Sequence, residues 1–395
     1  MKIVKIEDLH ADGGFRPLSF LKVTTDEGII GWSEFNDNYG APGGLSALIQ
    51  KFGAMVTGMD PRDVGMITSS LHAITRIVSG GPYNEAIAAI ENACLDIKAK
   101  ALGVPVYALF GGALRKRLQV YWSHCGSLRA RNADLFEQWG KFRVETLDDL
   151  KRLGEEAVAR GFKAVKTNVL YNEGGRLSMG NSVFKLGPHV LERNINNFTL
   201  RSIREQLAAF RDGIGPDTGL MIDINFNQRT EGYLRIARAV QPYDLTWLEI
   251  DIHDPEALAL IRQSGGVPIA SLESLHGMRS YRAYFERGAA DVAIIDVLWN
   301  GLWESYRIAT LADAYEVNIA PHNYSGDLAS LISAHLCAAV PNFRIMEYEV
   351  DDIPWKSEFY THPCVVENGE LVLSDRPGWG CDINEEGVRA RPVKR

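Results

Sequence analysis

Six titratable residues recur at nearly constant spacing in the second half of the sequence, each at the end of a short apolar run. They are Asp223 in LMIDIN, Glu249 in LTWLEI, Glu273 in PIASLES, Asp296 in DVAIIDV, His322 in NIAPHN and Glu347 in FRIMEYE. The steps between them are 26, 24, 23, 26 and 25 residues. A strand, a helix and two short loops make a unit of this length. Because the carboxyl ends of parallel barrel strands converge, we expect these side chains to meet around one pocket.

Three of these residues are carboxylates from successive units. Asp223, Glu249 and Glu273 would repel one another strongly unless a cation neutralised them. All-oxygen ligation without a nearby cysteine or histidine favours a hard ion, and Mg2+ binds a few carboxylates while keeping positions for water and substrate. Each residue taken alone could be a solvated loop residue or an ion-pair partner. Their matching places in successive units predict a Mg2+ site.

His322 and Asp296 end neighbouring predicted strands, so the carboxylate could orient the imidazole and raise its basicity. The alternative for His322 is a structural role capping the next helix. On the second predicted strand, Lys166 and Asn168 share one face while Thr167 points away. A lysine that points into a barrel needs a charged partner, which a substrate carboxylate or a barrel carboxylate would supply.

Other residues are weaker candidates for the pocket. Glu347 could donate a hydrogen bond to a developing enolate if it were protonated, and Glu349 competes with it on the same face. The candidate substrate contacts are Asn168, Asn225, Tyr39, Tyr83, Trp122, His124 and Arg193. Each of these residue types is found more often in a core or on a surface than against a ligand.

The repeated unit predicts an α/β fold built on a closed (β/α)8 barrel. We place this barrel at residues 118–353, with its first strand at LQVYWS, a helix at residues 144–160 and its second strand at residues 164–169. Residues 170–197 lack clear periodicity and are longer than a usual connection, which indicates an insertion at the catalytic face.

The residues outside the barrel predict a separate capping domain. Residues 1–117 combine an antiparallel meander at residues 1–34 with helical patterns such as residues 85–102, an α+β arrangement. Two glycine-rich segments, NDNYGAPGG at residues 36–44 and SGGPYN at residues 79–84, are typical of lids. Residues 354–395 include a short strand pair around the Asn-Gly turn, and we expect this C-terminal segment to pack back on the capping domain.

Composition excludes several other classes of protein. The 395 residues favour two domains, and the formal charge of -8 disfavours nucleic acid or an anionic membrane as a partner. The alternating start and the lack of a long apolar run predict a cytoplasmic protein without a signal peptide or membrane span. Five widely spaced cysteines without a CxxC pair indicate neither a disulfide framework nor a zinc site.

At these positions the sequence resembles the enolase superfamily, in its mandelate racemase subgroup. The resemblance is carried by GFKAVKTNV, the three carboxylate segments, the Asp296 and His322 pair, NACLDIKAKALGVPVYALFGG before the barrel and RPGWGCDI near the end. It spans essentially the whole chain. It implies a capping domain with two lid loops, a modified barrel, and Mg2+ held by Asp223, Glu249 and Glu273.

The resemblance also implies the chemistry. Members of the family abstract the proton α to a carboxylate while the metal stabilises the enediolate. This sequence departs from the family at Asn168, where a second lysine of a Lys-x-Lys pair often stands, and in the long insertion. An amide cannot titrate. His322 is therefore expected both to remove the α-proton and to protonate a departing hydroxyl, with Lys166 serving as a positive charge.

We therefore expect a Mg2+-dependent sugar-acid dehydratase that forms a 2-keto-3-deoxy acid, acts on a small molecule and assembles as a homo-oligomer. An aldonate is favoured over an aldarate because the two lid segments contain no cation for a second carboxylate. The insertion offers four such groups, Arg176, Lys185, His189 and Arg193.

Three other functions compete with dehydration. A racemase, epimerase or cycloisomerase would form no keto acid. A non-catalytic ligand-binding barrel is the least favoured, since it would be marked by a lost metal ligand and none is lost. A phosphate-binding barrel enzyme would use a loop after the seventh strand, for which residues 323–326 are a candidate.

The metal site generates the first prediction. Replacing Asp223, Glu249 or Glu273 by Ala should abolish activity and weaken Mg2+ binding while the protein stays folded, because each removes a carboxylate that a divalent ion requires. Calorimetric Mg2+ titration and circular dichroism measure the two effects. Turnover that is undiminished after chelation would contradict the assignment.

Overall fold

The computed structural model describes residues 1–36, 43–179 and 193–393 of the chain. Its N-terminal part contains strands β1 (Ile3–Asp12), β2 (Pro17–Thr25) and β3 (Ile30–Phe35), then helices α1 (Gly44–Val56), α2 (Val64–Thr75) and α3 (Gly81–Leu102). The three strands form an antiparallel sheet in the order of the sequence. The predicted meander is confirmed, and helix α3 packs against β3 at Gly31, where a Cβ atom would lie 2.1 Å from the carbonyl oxygen of Ala93.

Helix α3 begins earlier than the sequence suggested. It starts at Gly81, so residues 81–84 are helical and the second expected lid is wrong for most of its length. Pro82 lies in the first turn, where its fixed φ and missing N–H suit a helix start. Tyr83 packs against the core with its ring 6.5 Å from that of Phe52. The first expected lid, residues 36–44, lies almost wholly outside the described residues.

The central part alternates strands and helices. Its strands are β4 (Arg117–Trp122), β5 (Ala164–Asn168), β6 (Tyr171–Glu173), β7 (Arg176–Ser178), β8 (Gly219–Asp223), β9 (Trp247–Glu249), β10 (Ile269–Ser271), β11 (Val292–Asp296), β12 (Asn318–His322) and β13 (Met346–Tyr348). Its helices are α4 (Ser127–Arg131), α5 (Ala133–Gln138), α6 (Leu147–Ala159), α7 (Asn197–Ile214), α8 (Thr230–Val240), α9 (Pro255–Gly265), α10 (Met278–Glu286), α11 (Val297–Asn300), α12 (Leu302–Ala314) and α13 (Asp327–Ala339).

Eight of these strands form one parallel sheet. Hydrogen bonds run in the order β12, β11, β10, β9, β8, β5, β4, and β13 pairs with β4 in parallel. A parallel bridge between Ile319 of β12 and Phe343, three residues before β13, links the remaining edges. This pairing is consistent with the expected (β/α)8 barrel. The hairpin β6–β7 begins the expected insertion.

Alternation along the strands separates the barrel interior from its helical coat. The interior contains a buried layer of side chains from successive strands: Tyr121, Ala164, Met221, Trp247, Ala270, Val292, Ile294, Ala320 and Ile345. Trp122 belongs to the other face, where it is fully buried against Phe162 and Arg160. The layer closes the barrel below the carboxyl ends of the strands, as a packed core and not a pore.

The C-terminal segment contacts both other parts of the chain. Its strands β14 (Val366–Glu367) and β15 (Glu370–Val372) form the expected hairpin, β15 pairs with β4, and helix α14 (Glu385–Ala390) follows. The amide of Trp379 donates to buried Asp96 of α3, and its indole N–H donates to the carbonyl of Trp32. All five cysteines lie in the described ranges, and each is free. Within those ranges, the helices are too short or too polar to cross a membrane.

Glu34 connects the N-terminal sheet to the barrel beside His322. Its buried carboxylate accepts hydrogen bonds from the amides of Gly326 and Ala329, at the start of helix α13. These amides have no partner within their own helix, so a carboxylate from the N-terminal sheet satisfies them. The link joins the end of β3, just before residues 37–42, to the loop that follows His322.

Replacing Glu34 by Ala should lower the free energy of unfolding by about 2–4 kcal/mol, because two buried amides lose their acceptor. Urea denaturation measures the change. The control is Glu155→Ala, at an exposed position on α6, which should change stability by less than about 0.5 kcal/mol. Equal effects from the two substitutions would show that the Glu34 contact contributes nothing of its own.

Candidate functional site

A cavity of about 310 Å³ opens at the carboxyl ends of the barrel strands. The described residues that line it are His124, Ser127, Leu128, Arg131, Asn168, Met179, Asp223, Asn225, Phe226, Glu273, Trp299, His322 and Tyr324. Six of the residues singled out from the sequence are among them: His124, Asn168, Asp223, Asn225, Glu273 and His322. The cavity is therefore the candidate active site.

The expected metal ligands lie close to one another in a cluster of carboxylates at the ends of neighbouring strands. Asp223 and Glu249 end β8 and β9, and Glu273 follows β10 by two residues. Burial raises the pKa of Asp223 well above its ordinary value, and repulsion from Glu249 raises it further. Asp251, which sequence reasoning missed, behaves in the same way because burial and repulsion from Glu273 and Asp223 both disfavour its charge.

These residues fit a hard divalent cation by their chemistry. They are oxygen donors from adjacent strands whose mutual repulsion a positive charge would relieve. Within the described ranges, no three Asp, Glu, His or Cys side chains form a metal-binding group. The oxygens of Glu249 accept from Lys166 and Trp247, and those of Asp223 accept from Asn225, so protein donors take the lone pairs that a cation would use.

Lys166 lies between two carboxylates in the barrel. Its Nζ is 2.9 Å from both Glu249 Oε1 and Glu347 Oε1, and its side chain is 3% exposed. Burial alone would lower the pKa of Lys166, but Glu249 and Glu347 outweigh it and raise the pKa well above its ordinary value. Of the two kinds of partner expected for Lys166, a substrate carboxylate or a barrel carboxylate, the structure shows the second kind, and the ammonium group is held as a positive charge.

His322 and Asp296 form the expected pair across neighbouring strands. Nδ1 of His322 lies 2.7 Å from Oδ2 of Asp296, whose Oδ1 accepts from the amides of Leu298 and Trp299. Nε2 lies 3.7 Å from Glu273. Burial lowers the pKa of His322, but Glu273 and Asp296 outweigh it and raise the pKa to about 10. The carboxylate thus orients the ring, and the opposite nitrogen is directed towards the metal ligands.

Glu347 and Glu349 both face the interior, but they differ in their partners. Glu347 accepts hydrogen bonds from Ser123 Oγ and the amide of Asn323 in addition to its ion pair with Lys166. Burial raises the pKa of Glu347, but Lys166 and His322 outweigh it and lower the pKa to about 2. Its described contacts with Ser123, Asn323 and Lys166 all use Glu347 as an acceptor, so they do not favour the protonated form that donation to an enolate would need.

Three of the weaker candidate contacts lie away from the cavity. Trp122 packs outside the barrel, and Tyr83 packs in the N-terminal core. Arg193 donates to the carbonyl of Gln228 and holds the loop after β8. Tyr39 lies outside the described residues, as do Lys185 and His189 of the insertion, while Arg176 forms an ion pair with Glu145.

Several cavity residues carry a signal that the sequence analysis did not use. Tyr324 follows His322 by two residues and Asp251 follows Glu249 by two, so each continues the inward face of a strand. Ser127 donates to the side-chain carbonyl of Asn168. Trp299 lies with its ring 5.0 Å from that of His322. Arg131 comes from α4, and no strand-end rule identifies it.

The backbone amides at the loop considered as a phosphate site already have hydrogen-bond acceptors within the protein. Glu34 accepts from Gly326 and Ala329, and the amide of Asp327 donates to the hydroxyl of Tyr360. A phosphate would need these same amides. The phosphate-binding alternative is therefore wrong for this chain.

Two family descriptions match the chain. Residues 14–111 match the N-terminal domain of mandelate racemase and muconate lactonizing enzyme, and residues 149–387 match the enolase C-terminal domain-like family. The second match alone covers more than half of the sequence. The chain belongs to the enolase superfamily. Within that superfamily it is a member of the mandelate racemase subgroup, as the resemblance implied.

Named relatives in the enolase superfamily include hydro-lyases. D-xylonate dehydratase of Haloferax volcanii is 26% identical over 100% of this chain and 89% of its own length. D-mannonate dehydratase of a Sphingomonas strain is 27% identical over 95% of this chain and 91% of its own. A Burkholderia xenovorans protein with the provisional name L-alanine-DL-glutamate epimerase, crystallised with magnesium and fumarate, is 44% identical, with a TM-score of 0.95 over 100% of this chain and 96% of that one.

Proposed function

We propose that this chain is a Mg2+-dependent dehydratase of sugar acids, which forms a 2-keto-3-deoxy acid by loss of the α-proton and the β-hydroxyl. The observation that carries the proposal is the His322–Asp296 pair, which opens onto a cavity also lined by Asp223 and Glu273. A base next to metal-binding carboxylates suits abstraction of a proton α to a carboxylate. The xylonate and mannonate dehydratases among the relatives support the same reaction.

Asp223, Glu249 and Glu273 would hold the ion. When bound there, Mg2+ supplies positive charge to the substrate carboxylate, which acidifies the α-proton and stabilises an enediolate. Lys166 adds a fixed charge on the same side of the barrel, since Glu249 and Glu347 keep it protonated. His322 in its neutral form removes the α-proton, with Asp296 holding its ring in place, because a cation on Glu273 would cancel the charge that raises the pKa of His322.

Among the described residues, neither Lys166 nor Asn168 is placed to exchange a proton with a substrate. Lys166 is held charged between two carboxylates, and the amide of Asn168 bonds to Ser127 and Asp223. A racemase of this subgroup would need an acid/base residue there. Elimination after a single proton abstraction fits the described residues better than inversion.

Positively charged residues near the cavity bear on whether the substrate carries one carboxylate or two. Arg131 of α4 also lines the cavity, and it is a cation that the two lid segments do not supply. The Burkholderia relative was crystallised with fumarate, a dicarboxylate. We keep the aldonate as the expected substrate, and the test includes aldarates because Arg131 could pair with a second carboxylate.

An epimerase is the second candidate, because the most similar relative described above carries that provisional name. The two activities differ in their products. An epimerase returns an acid of the same composition, whereas a dehydratase forms a keto acid and water.

A panel of aldonates and aldarates with five and six carbons, including D-xylonate and D-mannonate, tests the proposal. We expect at least one acid to form a keto acid, detected with semicarbazide, in the presence of Mg2+ and not after chelation. L-Ala-L-Glu is incubated in D2O as the epimerase probe. Deuterium uptake by the dipeptide without any keto acid from the panel would contradict the proposal.

The role of His322 is tested with the acid that the panel identifies. His322→Asn in D2O should lose both keto-acid formation and deuterium exchange at the α-carbon, each by at least about 100-fold, because the base is gone. NMR of substrate and product measures both rates. Exchange that persists in this variant would assign the base to Lys166 instead.

A further inference from the structure

His124 reaches the cavity by an unusual backbone conformation. Along β4, Tyr121 faces the barrel interior and Trp122 the helical coat, so strict alternation would turn His124 outward with Trp122. Its φ of 48° lies in the left-handed region, and the side chain lines the cavity instead. Residues other than glycine adopt this conformation uncommonly, and such conformations cluster at functional sites.

One nitrogen of His124 is held by the protein, and the other is left for a ligand. Nδ1 lies 2.8 Å from Oε2 of Glu349 and 3.0 Å from Oγ of Ser123. Ser123 donates its only hydroxyl proton to Glu347, so it supplies no proton to Nδ1, and Glu349 is the described side chain that can. Among the described residues, none bonds to Nε2, which is the ring nitrogen available to a molecule in the cavity.

Glu349 is placed to be a neutral acid. Its side chain is 1% exposed, and Oε1 has no hydrogen-bond donor among the described residues. An ionised carboxylate with a bare buried oxygen would be costly. Burial raises the pKa of Glu349 well above its ordinary value, although Arg16 opposes the shift, and burial lowers the pKa of His124 to about 3. The carboxyl proton then lies towards Nδ1, and Nε2 carries the proton that faces the cavity.

We propose that His124, supported by Glu349, is the catalytic acid that protonates the departing β-hydroxyl. The inference rests on the proposed dehydration and changes one assignment made from the sequence, which gave both proton transfers to His322. His322 ends β12 and His124 follows β4. These strands are the two neighbours of β13, which contains Glu347 and is followed by Glu349, so the two histidines approach the cavity on either side of β13.

The proton balance is complete. His322 takes the α-proton, and the electron pair of that C–H bond becomes part of the enediolate. As the pair returns to form the α–β double bond, the β C–O bond breaks and its electrons leave with the hydroxyl. That hydroxyl takes the Nε2 proton of His124 and becomes water, while the carboxyl proton of Glu349 moves to Nδ1. The enol product then becomes the keto acid, and solvent restores the two histidines and Glu349.

Experiments in D2O with the acid identified by the panel can show whether different residues carry out the two proton transfers. His124→Asn should slow keto-acid formation by at least about 100-fold, the usual contribution of a general acid. Deuterium exchange at the α-carbon of recovered substrate should stay within a few-fold of wild type, because His322 is intact. Glu349→Gln should slow keto-acid formation less, since an amide can still orient the ring but cannot supply a proton.

A substrate analogue with chlorine in place of the β-hydroxyl separates catalysis from structure. Chloride leaves without a proton, so His124→Asn should release chloride at close to the wild-type rate. The control is His253→Asn, at an exposed histidine that stacks on Phe226, which should be near wild type with both substrates. Thermal melts of all variants report folding.

Each outcome decides between the assignments. Equal losses of exchange, keto-acid formation and chloride release in His124→Asn would make the residue structural and overturn the inference. Undiminished keto-acid formation would return the second transfer to His322 and also overturn it. If wild type exchanges the α-proton of panel acids but forms only epimers, the proposed dehydration fails as well, because no hydroxyl leaves. Loss of keto acid with retained exchange and chloride release supports the inference.

Discussion

Repulsion among buried carboxylates is the constraint on which the barrel mouth depends. Asp223, Glu249, Asp251 and Glu273 come from three neighbouring strands, and burial together with their mutual charge raises the pKa of Asp223 and Asp251. Lys166 offsets part of this charge through Glu249 and Glu347. A divalent cation held by Asp223, Glu249 and Glu273, as proposed, would offset the remaining repulsion, so the same charges would then contribute to its binding.

The surroundings of the two cavity histidines, His322 and His124, shift their pKa values in opposite directions. His322 faces Glu273 and Asp296, and their charges keep its pKa high. Burial lowers the pKa of His124 to about 3, and burial also raises the pKa of its partner Glu349 well above the ordinary value. One fold therefore surrounds a single small cavity with a histidine that attracts protons and a histidine paired with an acid, which is the separation of environments that acid and base chemistry requires.

The sequence predicted those parts of the site that follow from periodicity. Asp223, Glu249, Asp296 and His322 are the last residues of their strands, because the repeat length fixes where each strand ends. Trp122 was assigned to the wrong face because the sequence of one short strand does not show which of its two alternating faces points into the barrel. His124 was named as a candidate contact, but the left-handed φ by which it reaches the cavity could not be predicted, and Arg131 on a helix was not singled out. The early start of α3 was missed because Gly80, Gly81 and Pro82 suit a loop as well as a helix start.

The hydrogen bonds between Glu34 and the start of helix α13 make the N-terminal sheet a structural part of the barrel. Its carboxylate fills a helix terminus next to the strand that ends in His322, and Tyr360 of the C-terminal segment fills the adjoining amide. If the barrel were joined to a different capping domain, those amides would lose their acceptors. They would then be exposed to anions from solvent, within a few residues of His322. Exchange of caps between relatives is therefore limited to partners that bring an acid to the same place, so cap and barrel are expected to evolve as one unit.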